Sequence, residues 1–298
     1  MEAVEFDAGG TTLRGDLRRP DSTAPGDAAP AIVLSHGLSG VKEFCTPYAE
    51  AFTAAGFVTL AYDHRGFGAS DGEPRQEIDG WRQALDQLDA ITFTRTLPGV
   101  DADRVGLWGT SLSGGHALIG AAVDRRIRAV VSQVPATSGW GGLRRLVRPD
   151  LMSVLRQAFD ADRVARQGGA EPGLLPVGSP DPMAQVVLPS RGTWDYLERA
   201  AKTAPSWRNE VTIRSVENLI AYEPAALIDR IGPTPLLMIV ASDDEDCPTE
   251  EQLAAYNKAL EPKRVLVVPG DHYSVYAEHF DATVAAATDW FSTHLAAR

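Results

Sequence analysis

Three short stretches carry residues able to do chemistry, and they occur in a telling order. "WGTSLSGG" (108–115) places Ser111 in a G-x-S-x-G-like turn, with Ser113 where the second glycine normally stands. "SDDEDCP" (242–248) supplies four carboxylates, and "PGDHYS" (269–274) supplies His272. A serine hydroxyl is a poor nucleophile until a base takes its proton, and the base needs a carboxylate to orient it. Serine, then acid, then histidine near the end is the order expected after a nucleophile elbow. The chemistry would be attack of Ser111 on an acyl carbon, with His272 as base. The acid is read as Asp244, at the middle of its loop, with Asp246 second. Thr249 and Gln252 can form a capping box for the next helix, which confines the acid to 242–248. An oxyanion needs two backbone donors. The N–H of Leu112 follows the nucleophile, and that of Leu38 lies in "HGLSG" (36–40).

The flanking elements can present these groups together. "AIVLSHG" (31–37), "VTLAYDHRG" (58–66), "RVGLWG" (104–109), "IRAVVSQV" (127–134), "TPLLMIVA" (234–241) and "KRVLVVPG" (263–270) read as buried strands. Helical patterns alternate with them, including a stripe at Ile78, Trp81, Leu85, Leu88 and Ile91. That alternation predicts an α/β fold, a mostly parallel sheet with helices on both faces. The opening "VEFDAGGTTLRGDLRRP" predicts an antiparallel hairpin at one edge. Ser111, Asp244 and His272 would each follow a strand, at the carboxyl edge where such sheets bind ligands.

The alternation breaks at residues 136–232, far longer than a crossover requires. Apolar residues at helical spacing fill 142–167, and five glycines with five prolines make 168–192 irregular. The chain is therefore read as a core of 1–135 and 233–298 with an inserted helical lid at 136–232. Trp140, Trp194, Tyr196 and Trp207 fall in the insertion, and Trp140 together with Tyr273 is expected to line a substrate pocket. The apolar insertion also offers a surface for a homodimer. His64 and His116 read as structural, His36 as a turn residue, and Cys45 and Cys247 as inert thiols.

Composition sets outer bounds. The chain has 298 residues, with 44% apolar and 23% charged, the balance of a globular protein. A formal charge of −12 disfavours nucleic acid as a partner. "MEAVEFDAGG" lacks the features of a signal peptide, and no run reaches the roughly 18 apolar residues of a membrane span. Two cysteines without a C-x-x-C pattern point to a reducing compartment, so the expected location is cytoplasmic.

Taken in order, "SHGLSG", "YDHRGFGASDG", "WGTSLSGG", "VASDDEDCP" and "PGDHYS" make the chain resemble the α/β-hydrolase superfamily over nearly its whole length. The G-x-S-x-S-G-G form and the insertion after "SQVP" resemble dienelactone-hydrolase-like esterases and polyketide thiohydrolases or acyltransferases. The resemblance implies Ser111, Asp244 and His272 as nucleophile, orienter and base, with no metal or organic cofactor. The expected reaction is cleavage of a small-molecule ester or thioester with an apolar acyl group, falling off below the ordinary histidine pKa of ~6.5. Acyl transfer to another acceptor and a catalytically silent ligand-binding protein are the alternatives.

Overall fold

The computed structural model describes residues 1–21 and 28–297. Among the described residues ten strands follow in chain order: β1 (Glu2–Asp7), β2 (Thr12–Arg18), β3 (Ala29–Ser35), β4 (Val58–Tyr62), β5 (Val100–Thr110), β6 (Ile127–Gln133), β7 (Leu174–Leu175), β8 (Val211–Thr212), β9 (Leu236–Ala241) and β10 (Lys263–Val268). Eight form one sheet in the order β1-β2-β4-β3-β5-β6-β9-β10, while β7 and β8 pair separately. β1 and β2 form the antiparallel hairpin at one edge, and every pairing from β4 to β10 is parallel.

The parallel strands are nearly all apolar because helices cover both faces. One face carries α1 (Thr46–Ala54) and α9 (Phe280–His294), whose Phe52 and Phe291 meet Trp108 and Ile239. The other carries α2 (Gly80–Thr96) and α3 (Leu112–Val123). The expected apolar stripe is buried only in part: Ile78 and Ile91 enter the core and Leu88 packs against it. Trp81 and Leu85 are 39% and 50% exposed, whereas Gln83, Asp86 and Gln87 are buried. Each of these polar residues makes at least one hydrogen bond, although Gln83 Nε2 and Gln87 Oε1 have no partner among the described residues. Asp86 takes a two-pronged ion pair from Arg65 (2.5 and 2.7 Å), and Gln87 donates to Ser35 Oγ (2.6 Å).

Between β6 and β9 the chain builds α4 (Gly139–Leu146), α5 (Met152–Gln167), α6 (Thr193–Ala201) and α7 (Ile213–Leu219). Its last turn, Pro224–Arg230, rejoins the main core through Ile228, with Ile231 following. α8 (Thr249–Lys258) then links β9 to β10. No helix among the described residues is long and apolar enough to cross a membrane.

Candidate active site

Ser111 sits in a sharp turn between β5 and α3, with φ +56° and ψ −122°. A side chain at such angles costs on the order of 1–3 kcal/mol and persists only where the surroundings enforce it. Here Ser111 N–H donates to Gln133 O and Ser111 O accepts from Ala136 N–H, both at 2.9 Å, so the turn is tied to the end of β6. The turn also needs Gly109, where a Cβ would lie 2.0 Å from the carbonyl oxygen of Ser113.

Ser113, the departure from the two-glycine pattern, is fully buried beneath the turn. Its hydroxyl lies 2.9 Å from His64 Nε2. His64 packs edge-on against His36 and His116, with ring centres 4.5 and 5.3 Å apart. Burial lowers the pKa of all three histidines and keeps them neutral. Ser113→Gly restores the common pattern but strands a buried imidazole nitrogen, costing about 1–3 kcal/mol. We expect the variant to keep its activity and lose several degrees of melting temperature, at roughly 2–4 °C per kcal/mol. Unchanged melting by calorimetry would remove the Ser113–His64 contact from the stability of the elbow.

The loops after β9 and β10 bring the other two groups to Ser111. His272 Nε2 lies 3.0 Å from Ser111 Oγ, and His272 Nδ1–H donates to Asp244 Oδ2 at 2.8 Å. That donation fixes the tautomer, leaving Nε2 free to accept the serine proton. Asp244 is fully covered and held on both oxygens. Oδ1 accepts from Cys247 N–H (2.8 Å), and Oδ2 also accepts from Gln252 Nε2 (3.0 Å). Burial works against a charged His272, but the adjacent Asp244 carboxylate outweighs it and raises the pKa to about 9. The ordinary value of ~6.5 is therefore corrected upward. The Cys247 thiol also touches Ser111; burial pushes its pKa well above the usual range, so it stays protonated.

Gln252 does not cap α8 as its spacing with Thr249 allows; Pro248 holds that place and no side chain caps the helix. Nothing in the sequence marks Gln252 as a partner of Asp244, because the contact spans a loop whose path the spacing leaves open. Asp246 takes a different part from Asp244. It accepts hydrogen bonds from Ser190 and from the Tyr273 hydroxyl (2.6 Å), and Thr193 lies 2.8 Å from that hydroxyl. This ring ties the start of α6 to the two loops carrying Asp244 and His272.

Leu38 and Leu112 border the cavity beside Ser111. The turn holding Leu38 approaches so closely that a Cβ on Gly37 would lie 3.0 Å from Ser111 Cβ. Tyr273 lines the slot next to His272. Trp140 is a correction. It is 37% exposed and lines neither cavity at Ser111, and its backbone N–H donates to Glu223. Ser138 caps α4 and sets its phase, which turns Gly142, Leu143 and Leu146 inward and Trp140 away. Phe44, Tyr196 and Tyr276, not singled out together by the sequence, complete the aromatic wall.

The model of the X-Pro dipeptidyl-peptidase (S15) family matches residues 9–274. The chain belongs to this family. The thiohydrolase aneE of Aspergillus aculeatus is 34% identical, across 88% of this chain and 83% of its own. The quorum-quenching protein AidA of Acinetobacter baumannii is 32% identical, across 96% and 93%. The crystal structure of the α/β hydrolase GrgF from a Penicillium species, whose sequence relative is named a polyketide transferase, superimposes with a TM-score of 0.85. It is 28% identical and covers 99% of both chains. The fold is that of an α/β hydrolase, with the S15-family elements extending from β2 to the His272 loop.

Proposed function

We propose that this chain is a serine hydrolase that cleaves a carboxylic ester or thioester through an acyl-Ser111 intermediate. The observation that carries this reading is the continuous path Asp244–His272–Ser111, with contacts of 2.8 and 3.0 Å. His272 takes the proton of Ser111 as Oγ attacks the carbonyl carbon. The backbone N–H groups of Leu38 and Leu112 receive the developing oxyanion, Leu112 at the start of α3 where the helix dipole favours negative charge. Asp244 stabilises the imidazolium, and a water molecule activated by the same histidine releases the acid. Residues 136–232 act as a lid, held over the site by the ring of Asp246, Tyr273, Thr193 and Ser190.

The relative named a thiohydrolase supports a thioester as substrate. The relative named a polyketide transferase supports a second reading, transfer of the same acyl group to an acceptor other than water. The test is intact-protein mass spectrometry after a fluorophosphonate probe. One adduct, located by peptide mapping at Ser111, is expected. A folded protein that takes no adduct would sink the proposal. Product analysis with and without an added alcohol or amine then separates transfer from hydrolysis.

A further inference from the structure

Ser111 stands between two cavities of different chemistry. On one side lies a chamber of about 100 Å³, walled by Leu143 and Leu146 of α4 and by Val216 and Leu219 of α7. On the other side lies a slot of about 30 Å³ between His272 and the rings of Phe44, Tyr196, Tyr273 and Tyr276. Leu38, Ser111 and Leu188 border both spaces. His272 borders the slot and not the chamber.

That asymmetry assigns the two halves of a substrate. When Ser111 Oγ bonds to the carbonyl carbon, its proton passes to His272 Nε2. As the bond from carbon to the leaving oxygen or sulfur breaks, the same proton must reach that atom, so that it departs as a neutral alcohol or thiol. A leaving group seated in the chamber would part from the acyl carbon on the side away from its acid. We infer that the acyl group occupies the aliphatic chamber and the leaving group the aromatic slot. The substrate class is a compact aliphatic acyl group carried on a flat or slender, unbranched leaving group. This assignment rests on the acyl-Ser111 reading above.

The surroundings of the slot fit a leaving group that runs outward. Phe44, Tyr196 and Tyr276 also line a surface groove of about 680 Å³ on the far side. Tyr196 stands with its ring centre 5.1 Å from that of Tyr273, 5.0 Å from that of Tyr276 and 6.1 Å from that of Phe44, the last pair edge-on. These rings form a narrow wall that suits a planar ring or an extended arm and resists a branched one. The chamber, by contrast, ends against helices α4 and α7, which caps the length of the acyl chain.

The test is kcat/KM on p-nitrophenyl acetate, butyrate and decanoate, beside fluorophosphonate labelling of each variant. Wild type is expected to prefer butyrate over decanoate by at least about tenfold, since one misplaced methylene alone is worth about 10–200-fold. Val216→Phe and Leu143→Phe, from opposite walls, should each lower the butyrate-to-acetate ratio by about tenfold or more; two variants guard against one that fails to fold. Tyr196→Ala should leave that ratio in place and relax the bias against butyrate esters of branched alcohols. The assignment is overturned if Ser111 is labelled and the chamber variants leave the acyl ratio unmoved, or if Tyr196→Ala shifts it instead. A wild type that takes no label overturns the catalytic reading itself, a result distinct from either.

Discussion

Ser111→Ala is expected to lower kcat on an activated ester by about 10⁶-fold, close to 8 kcal/mol of transition-state stabilisation. The size follows from what the residue does in the proposed mechanism. Without Oγ there is no acyl-enzyme, and His272 has no proton to take. The backbone donors of Leu38 and Leu112 remain, so a residual rate of roughly 10³–10⁴ over water should persist. The same variant should keep its fold. Alanine retains the Cβ, leaves the strained φ of +56° in place and removes one hydroxyl. Circular dichroism and melting should match wild type while initial rates collapse and the fluorophosphonate adduct vanishes. A variant retaining even a tenth of wild-type turnover would move the chemistry away from Ser111.

Asp244→Asn should reduce kcat by about 10⁴-fold near neutral pH. The amide is nearly isosteric, so Cys247 N–H and the position of the loop are retained while the charge is lost. Two consequences follow. The imidazole is no longer held in the tautomer that leaves Nε2 free, and the imidazolium formed during attack has no counter-charge. The pH dependence provides an independent check, and its sign is fixed. Neutral His272 is the active form, and in wild type its pKa is raised to about 9 because Asp244 outweighs burial. Wild-type kcat/KM should therefore climb with pH through about 9. In the variant only burial and the more distant carboxylates of Asp246 and Asp271 act on His272, so the rising limb should move downward by more than a unit. A limb that stays at the wild-type position in Asp244→Asn would mean that another group controls the titration.

The parts legible in the sequence share one property: they depend on local order along the chain. Strand, tight turn and helix around Ser111 are contiguous, and only a serine so placed meets an acid loop and a histidine loop at later strand ends. Place within seven residues favoured Asp244, with Asp246 second, and the 2.8 Å contact with His272 chose between them. Trp140 was not legible in the same way, because one residue of helical phase separates the cavity from solvent and Ser138 sets that phase. The stripe on α2 held at Ile78, Leu88 and Ile91 and failed at Trp81 and Leu85 for a related reason. Periodicity marks an apolar face, but Asp86 and Gln87 are buried because Arg65 and Ser35, distant in sequence, are there to meet them.

By itself, then, the sequence determined the alternating α/β layout and the strand–turn–helix elbow, and it named Ser111 and His272 as candidates with a short loop to supply the acid. Each of these is written in short-range pattern and chain order. Only the tertiary structure decided which carboxylate touches His272, how far its pKa rises, and which inserted side chains face Ser111. It also set His272 beside the aromatic slot alone. Those outcomes are set by distances of a few ångströms between segments far apart in the chain, such as Ser111 and His272, 161 residues apart. Coulomb and hydrogen-bond energies depend on such distances, and sequence spacing does not contain them.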